Sequence, residues 1–335
     1  HGMLPSRRLS RIENSMKGVI LDADSLGTDI DLARLQQLPV EWSIHKAVAP
    51  SDTASIVSDT DIVLTNKVRL DRDILLKTNR LKLVSIMATG VNNVDLHTAA
   101  ELGITVSNAV GYATPSVAQH TIAMMLNLAT QQVVYLRDTQ AGQWQRSNVF
   151  CRLDHPIVEL SGKTLGIIGF GTLGSAVGHI AASLGMKVIA AVSHSNCDST
   201  RSVIERVSLV DLLERSDIVS LHCPLTDSNV RLIGAKQLSQ MKSSAFLINT
   251  ARGGLIDSEA LIAALENRVI AGAAIDVLDS EPPSHDEPLL NVSYPNLLIT
   301  PHNAWGARES RQRLILQMAE NIERFISGNP IRCVV

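Results

Sequence analysis

Four short segments hold the residue types from which chemistry can be built. The first, Gly169-Phe170-Gly171-Thr172-Leu173-Gly174, is a G-x-G-x-x-G turn. It follows the apolar run Leu165-Gly166-Ile167-Ile168 and opens a helical pattern that keeps Leu173, Val177, Ile180 and Leu184 apolar. Glycines stand wherever a chain turns tightly, so the turn alone is weak evidence. Set between a strand and a helix it becomes specific. Gly169 permits the turn, Gly171 lets a pyrophosphate approach the backbone, and Gly174 lets helix and strand pack closely. The free N–H groups at the helix start bind the phosphates. Three later segments place polar groups at the ends of apolar strands, where open α/β sheets bind their ligands. Leu247 to Gly254 holds Arg252 before two glycines; Ala274 to Pro282 holds Asp276 and, in a proline-fixed loop, Glu281; Thr300 to Trp305 holds His302. A guanidinium fork grips a carboxylate, and an imidazole exchanges protons near neutral pH. Each residue alone is ordinarily solvated or structural; in this order behind a dinucleotide turn they form a constellation.

The strand after such a turn normally ends in an acid that binds the adenosine ribose, ~20 residues on. Here Lys187 to Val192 runs into Ser193, His194, Ser195 and Asn196, with no Asp or Glu. A 2′-phosphate is not repelled there and those four side chains can donate to it, yet no arginine in this stretch clamps it. NAD(H) and NADP(H) both stay open as the cofactor.

Short β-branched runs alternate with helical patterns throughout, which predicts an α/β fold with parallel sheets. Strands are expected at Gly18 to Asp22, Glu41 to His45, Asp61 to Thr65, Lys82 to Met87 and Ile104 to Ser107. A second sheet uses Thr164 to Ile168, Lys187 to Val192, Asp217 to His222, Ala245 to Asn249, Ile270 to Ile275 and Leu297 to Thr300. Six strands suit a dinucleotide-binding sheet. A helix is expected from Pro115 to about Arg137, able to bridge two domains, and another from Ala307 to Ile326, capped at Gly328 and packed on the first domain. The expected architecture is two doubly wound domains with the ligand cleft between them. Residues 111–302 form a Rossmann domain, and 1–15 an N-terminal extension or cloning remnant.

At 335 residues the chain exceeds what one core usually serves. A net charge of -3 supplies no basic field, which argues against nucleic acid or an anionic membrane and for a small-molecule ligand. The four cysteines have neither C-x-x-C spacing nor disulfide-scaffold density, so a reducing cytoplasm is expected. The ten histidines form no H-x-x-x-H set, so no metal is expected.

From Met16 onward the chain resembles the D-isomer-specific 2-hydroxyacid dehydrogenases. The resemblance is carried by Leu221-His222-Cys223-Pro224-Leu225-Thr226, Asn249-Thr250-Ala251-Arg252-Gly253, Asp276 to Pro282, Pro301-His302, and Ala88-Thr89-Gly90-Val91-Asn92-Asn93-Val94-Asp95. Gly111 to His120 and Pro301 to Trp305 are most similar to its glycerate dehydrogenase, or hydroxypyruvate reductase, branch; Gln119 departs, standing where many relatives carry Glu. The resemblance implies NAD(P)H-dependent reduction of a small 2-keto acid to a D-2-hydroxy acid: hydroxypyruvate to D-glycerate, glyoxylate to glycolate, or alternatively pyruvate or 3-phosphohydroxypyruvate. It implies that Cys223, Pro224 and the end of the second strand at Val192, Ser193 and His194 border the cofactor. Asp276 and the Thr250-Ala251 backbone hold the nicotinamide amide, His302 protonates the carbonyl oxygen, and Glu281 orients His302. Arg252 binds the substrate carboxylate, and Thr89 and Gly90 donate N–H groups to it. Also implied are a discontinuous, flavodoxin-like substrate domain of residues 16–110 with 303–335 and a homodimer built partly on the helix after Pro115. The competing reading is a non-catalytic, dinucleotide-sensing regulator of the corepressor type on the same fold; the retained triad favours an enzyme.

Overall fold

A computed structural model describes residues 15–192 and 204–335. Described residues up to 113 and from 308 onward form one compact unit, and 114–307 form a second.

The first unit is built on a parallel sheet of β1 (Met16–Ile20), β2 (Val40–Ile44), β3 (Ile62–Thr65), β4 (Leu83–Ile86) and β5 (Thr105–Ser107), in the order β2-β1-β3-β4-β5. That is the flavodoxin-like order. β3 and β4 are buried along their whole length, which is why they read as mainly apolar runs, with Thr65 and Ser85 as buried hydroxyls, rather than as alternating ones. The C-terminal tail covers the β5 edge, with an antiparallel bridge from Ser107 to Cys333 and a Val334 N–H to Val106 O bond of 2.8 Å. The final helix, Arg308–Ile326, buries Leu314, Ile315, Met318 and Ile322 in this unit. It stops where Gly328 takes φ 75° and donates to Phe325 O at 2.9 Å.

In the second unit, β6 (Thr164–Ile168), β7 (Lys187–Ala191), β8 (Glu205–Val207), β9 (Ile218–Leu221), β10 (Phe246–Asn249), β11 (Gly272–Ile275) and β12 (Leu297–Ile299) lie parallel. Their order is β12-β11-β10-β9-β6-β7-β8. Six strands were expected and seven are present. The addition, β8, is three residues long and passes from exposed Glu205 to buried Val207, too short a run for apolar periodicity to register. Strand order reverses between β6 and β9, whose neighbouring carboxyl ends form the crevice in which such sheets bind nucleotides.

The helix expected to reach about Arg137 is instead two helices, Thr114–Thr130 and Gln132–Gln140, separated by Gln131 at φ 54°. The Val158 N–H takes the Ala129 carbonyl at 2.7 Å, so that carbonyl is capped by a distant segment. Local propensity contains no trace of this, because glutamine is a good helix former.

Candidate active site

The glycine turn sits at the carboxyl end of β6, and its three glycines do three different things. Gly169 has φ 95°, and a Cβ there would lie 2.4 Å from Cys223 N, so the turn abuts the chain leaving β9 at the reversal point. A Cβ on Gly174 would meet Gly169 O at 2.2 Å and Ile167 Cγ2 at 3.0 Å; its hydrogen lets helix Thr172–Ser183 close on β6. A Cβ on Gly171 meets nothing within 4 Å. Only there does the missing side chain keep open space rather than protein contact. Gly171 is also the helix N-cap and makes no side-chain cap bond. The ladder begins with Ser175 N–H to Gly171 O at 2.9 Å, leaving the N–H groups of Thr172, Leu173 and Gly174 outside it. Open space facing uncommitted helix N–H groups is what a pyrophosphate requires, so these residues fit a dinucleotide. Phe170 packs its ring toward Gly178, 3.1 Å from the position of a Cβ there.

Val192, past the end of β7, is exposed and donates its N–H to Val207 O at 2.9 Å. Ser193 and His194 lie outside the described residues. The chain near Val192 contains no arginine, but β8 brings one alongside. Arg206 donates Nη1 to Ala191 O at 3.3 Å, and its guanidinium lies 5.2 Å from the Phe170 ring centroid.

Arg252, Glu281 and His302 follow β10, β11 and β12, three adjacent strands, all at their carboxyl ends. Arg252 has an extended backbone and donates Nη1 to Ala251 O at 2.7 Å. Its loop is fixed by Asn249, whose side chain donates to Arg252 O at 2.8 Å and accepts from Ala251 N at 3.0 Å. A Cβ on Gly253 would lie 2.1 Å from the Leu278 carbonyl carbon, so this glycine lets the Arg252 loop press against the backbone leading to Glu281. Glu281 accepts the Leu278 N–H at 2.9 Å on Oε1 and bonds His302 Nδ1 through Oε2. The Glu281-Pro282 peptide is cis. His302 and Glu281 have side chains 27% and 29% exposed, enclosed enough to be held and open enough to meet a substrate.

Asp276, expected to hold the nicotinamide amide, is 1% exposed and already engaged. Its Oδ1 accepts from Thr300 Oγ1 at 2.5 Å and Asn303 N at 3.0 Å, and its Oδ2 from Ala304 N at 3.0 Å. Thr250 is buried, with its hydroxyl 3.0 Å from that of Thr121, and Ala251 is half-buried. Pro224 is exposed; Cys223 packs beside the core, and burial pushes its thiol pKa up, away from thiolate chemistry. Thr89 and Gly90 belong to the first unit, beyond the end of β4, where Thr89 O accepts from Asn108 Nδ2 at 2.8 Å.

His120 and Thr300, bonded at 3.0 Å, and His222 stand in the sequence only as members of longer motifs, without a role of their own. Ser116, His120 and Thr121 form a polar stripe at i, i+4 and i+5 on the inward side of this helix, but nothing local in the sequence points to the partner of His120. His222 closes β9 with Nε2 2.8 Å from Ser220 Oγ, while its sealed Nδ1 has no partner among the described residues. Burial lowers its pKa to about 4, so the ring is neutral.

The sequence profile described as D-isomer specific 2-hydroxyacid dehydrogenase, NAD binding domain, matches residues 122–304, more than half of the chain. Glycerate dehydrogenase of Methylorubrum extorquens is 39% identical, over 94% of this chain and 97% of its own. Hydroxypyruvate reductase of Blautia hydrogenotrophica is 36% identical, over 95% and 99% respectively. Among solved structures, the TT0316 protein from Thermus thermophilus superposes with a TM-score of 0.84 at 31% identity, over 96% of this chain and 100% of that one. No helix among the described residues is long and apolar enough to cross a membrane. A dinucleotide cradle, a bonded Glu–His pair and an arginine on three adjacent strand ends, with matches of this extent, place the chain in the D-isomer specific 2-hydroxyacid dehydrogenase family, oxidoreductases that use NAD(H) or NADP(H).

Proposed function

We propose that this enzyme reduces hydroxypyruvate to D-glycerate, with glyoxylate as a second substrate. The observation that carries the reading is His302, tied through Nδ1 to Glu281 on the strand end beside that of Arg252. The printed names of the two relatives above support the choice of keto acid. Nicotinamide, when bound, supplies the hydride. Thr172, Leu173 and Gly174 hold the pyrophosphate through backbone N–H groups. With Nδ1 committed to Glu281, His302 presents Nε2 to the substrate and delivers a proton to the carbonyl oxygen as it becomes an alkoxide. Arg252 receives the carboxylate, fixing which carbonyl face is reduced.

Steady-state kinetics with hydroxypyruvate, glyoxylate, pyruvate and 3-phosphohydroxypyruvate, each with NADH and NADPH, test the reading. The highest kcat/KM is expected with hydroxypyruvate, and the product should be the D enantiomer. A higher value with pyruvate or the phosphorylated acid would reassign the substrate; dinucleotide binding without turnover would favour a regulator.

We further infer a homodimer seated on helix Gln132–Gln140 and the segment that follows it. Leu136, Val149, Leu153 and Ile157 there are exposed, and Phe150 is 90% exposed, an apolar surface that a second copy would cover. Sedimentation equilibrium giving a monomer would reject this. The three described cysteines are free, which supports a reducing, cytoplasmic setting.

A further inference from the structure

Helix Thr114–Thr130 reaches the strand ends of the second unit through Ser116, His120 and Thr121, and His120 Nε2 also lies 3.5 Å from Asp276 Oδ1. Ser116 Oγ donates to Ala304 O at 2.6 Å, Thr121 Oγ1 lies 3.0 Å from Thr250 Oγ1, and His120 Nε2 lies 3.0 Å from Thr300 Oγ1. The last contact belongs to a chain whose hydrogen directions can be assigned. Asp276 as a carboxylate only accepts, so the Thr300 hydroxyl hydrogen points to Asp276 Oδ1. The Thr300 oxygen then faces His120 with a lone pair, and His120 must carry its hydrogen on Nε2. Downstream, the same carboxylate accepts the N–H groups of Asn303 and Ala304, while the Asp276 carbonyl accepts His302 N–H at 2.8 Å. His302 is held on both sides by Asp276 in a left-handed conformation, φ 50°, that a non-glycine residue takes only when its surroundings impose it.

We propose that His120 is a positioning residue for His302, acting through Thr300 and Asp276. By donating to Thr300 it sets the rotamer in which that hydroxyl serves Asp276, and Asp276 in turn fixes the backbone on which His302 stands. The inference rests on the reading of His302 as the proton donor. His120 needs no contact with substrate: its outer side borders a cavity of about 370 Å³, lined by Met124, Val134, Tyr294 and Leu298 among others. Misplacing a reacting group by about 1 Å can cost on the order of 100-fold in rate, so an effect on kcat rather than on binding is expected.

The test compares His120→Leu, His120→Gln and Thr300→Val in the full-length enzyme, each also in a His302→Gln background. Melting temperature is recorded beside kcat and KM for the keto acid turned over best. His120→Leu and Thr300→Val should lower kcat by roughly 10- to 100-fold with KM little changed. His120→Gln, whose amide still donates to Thr300, should recover most of it. In the His302→Gln background the first two changes should cost almost nothing more, because their effect passes through His302. Full kcat in both His120→Leu and Thr300→Val would overturn the proposal. So would equal losses in His120→Leu and His120→Gln tracking a fall in melting temperature, or losses that multiply with that of His302→Gln. A His302→Gln enzyme that turns over normally would instead remove the reading of His302 itself.

Discussion

Arg252 spends one guanidinium nitrogen on its own loop, donating Nη1 to Ala251 O at 2.7 Å. A guanidinium can do this and still offer parallel donors to a carboxylate; an ammonium is a point charge without that division of labour. Arg252→Lys should therefore keep the charge and lose the fork. A hydrogen bond to a charged group is worth about 1.5–3 kcal/mol, so kcat/KM for the keto acid should fall roughly 10- to 100-fold. Much of the loss should appear in KM, while the dissociation constant for the dinucleotide stays unchanged. Steady-state kinetics with a parallel cofactor titration check this, and an unaltered KM would mean that Arg252 does not meet the substrate. Arg252, Glu281 and His302 were legible in the sequence because each lies in the loop that leaves an apolar strand, and strand ends are where a parallel sheet exposes chemistry. His120 was not, because its partner Thr300 lies 180 positions away and no local pattern brings the two together. Asp276 was legible as a position, but its partners were not: a strand-end acid looks like a ligand group, and only the folded chain reveals how much of its capacity the loop after His302 consumes.

At the scale of elements, the β6 turn and helix Thr172–Ser183 separate the two uses of glycine. Gly171 faces open space at φ −86°, a value that alanine accepts. Gly174 sits 2.2 Å, measured from an added Cβ, from the Gly169 carbonyl. Gly171→Ala should leave stability within about 1 kcal/mol, the usual range for an N-cap change, and weaken dinucleotide binding more than about tenfold by entering the pyrophosphate's space. Gly174→Ala should destabilise the second unit by roughly 1–3 kcal/mol through overpacking, with the binding loss secondary. Thermal melts and fluorescence titration of each variant distinguish the two, and tight binding by Gly171→Ala would mean that the open space is not the phosphate seat. Both roles could be read from the sequence, since strand, turn and helix are contiguous. Where elements depend on distant partners, reading stopped: β8 exists because β7 pairs with it, and the helix break at Gln131 accompanies a bond from Val158. The α/β class with two parallel sheets was accessible because alternating apolar runs and helical patterns admit few architectures.

Across the whole molecule, each unit contains titrating groups that respond to acid in different ranges. His222 in the second unit has its pKa lowered by burial to about 4, against 6.5 for a free imidazole. Its folded value lies below its unfolded one, so the unfolded chain takes up the proton more readily. The stability this group contributes is complete above about pH 6.5 and is lost as pH falls toward 4, up to about 3 kcal/mol in all. In the first unit, burial pushes the Asp61 carboxyl up, but the Lys17 N–H, Lys82 and Arg80 outweigh it and hold the pKa below the ordinary aspartate value of 3.8. A group lowered in this way stabilises above its unfolded pKa and is lost only as pH falls below that, so Asp61 is silent in the range where His222 acts. Mild acid should therefore loosen the second unit first. Amide hydrogen exchange at pH 7.0 and 5.0, corrected for intrinsic rates, should show protection falling at β6 and β9 and holding at β3 and β4. Denaturant melts should find that His222→Gln, which keeps a hydrogen-bonding side chain but cannot titrate, flattens the decline between those pH values. If that variant loses stability with pH as steeply as the parent, the sealed Nδ1 of His222 is not the group that makes the dinucleotide-binding unit acid-sensitive.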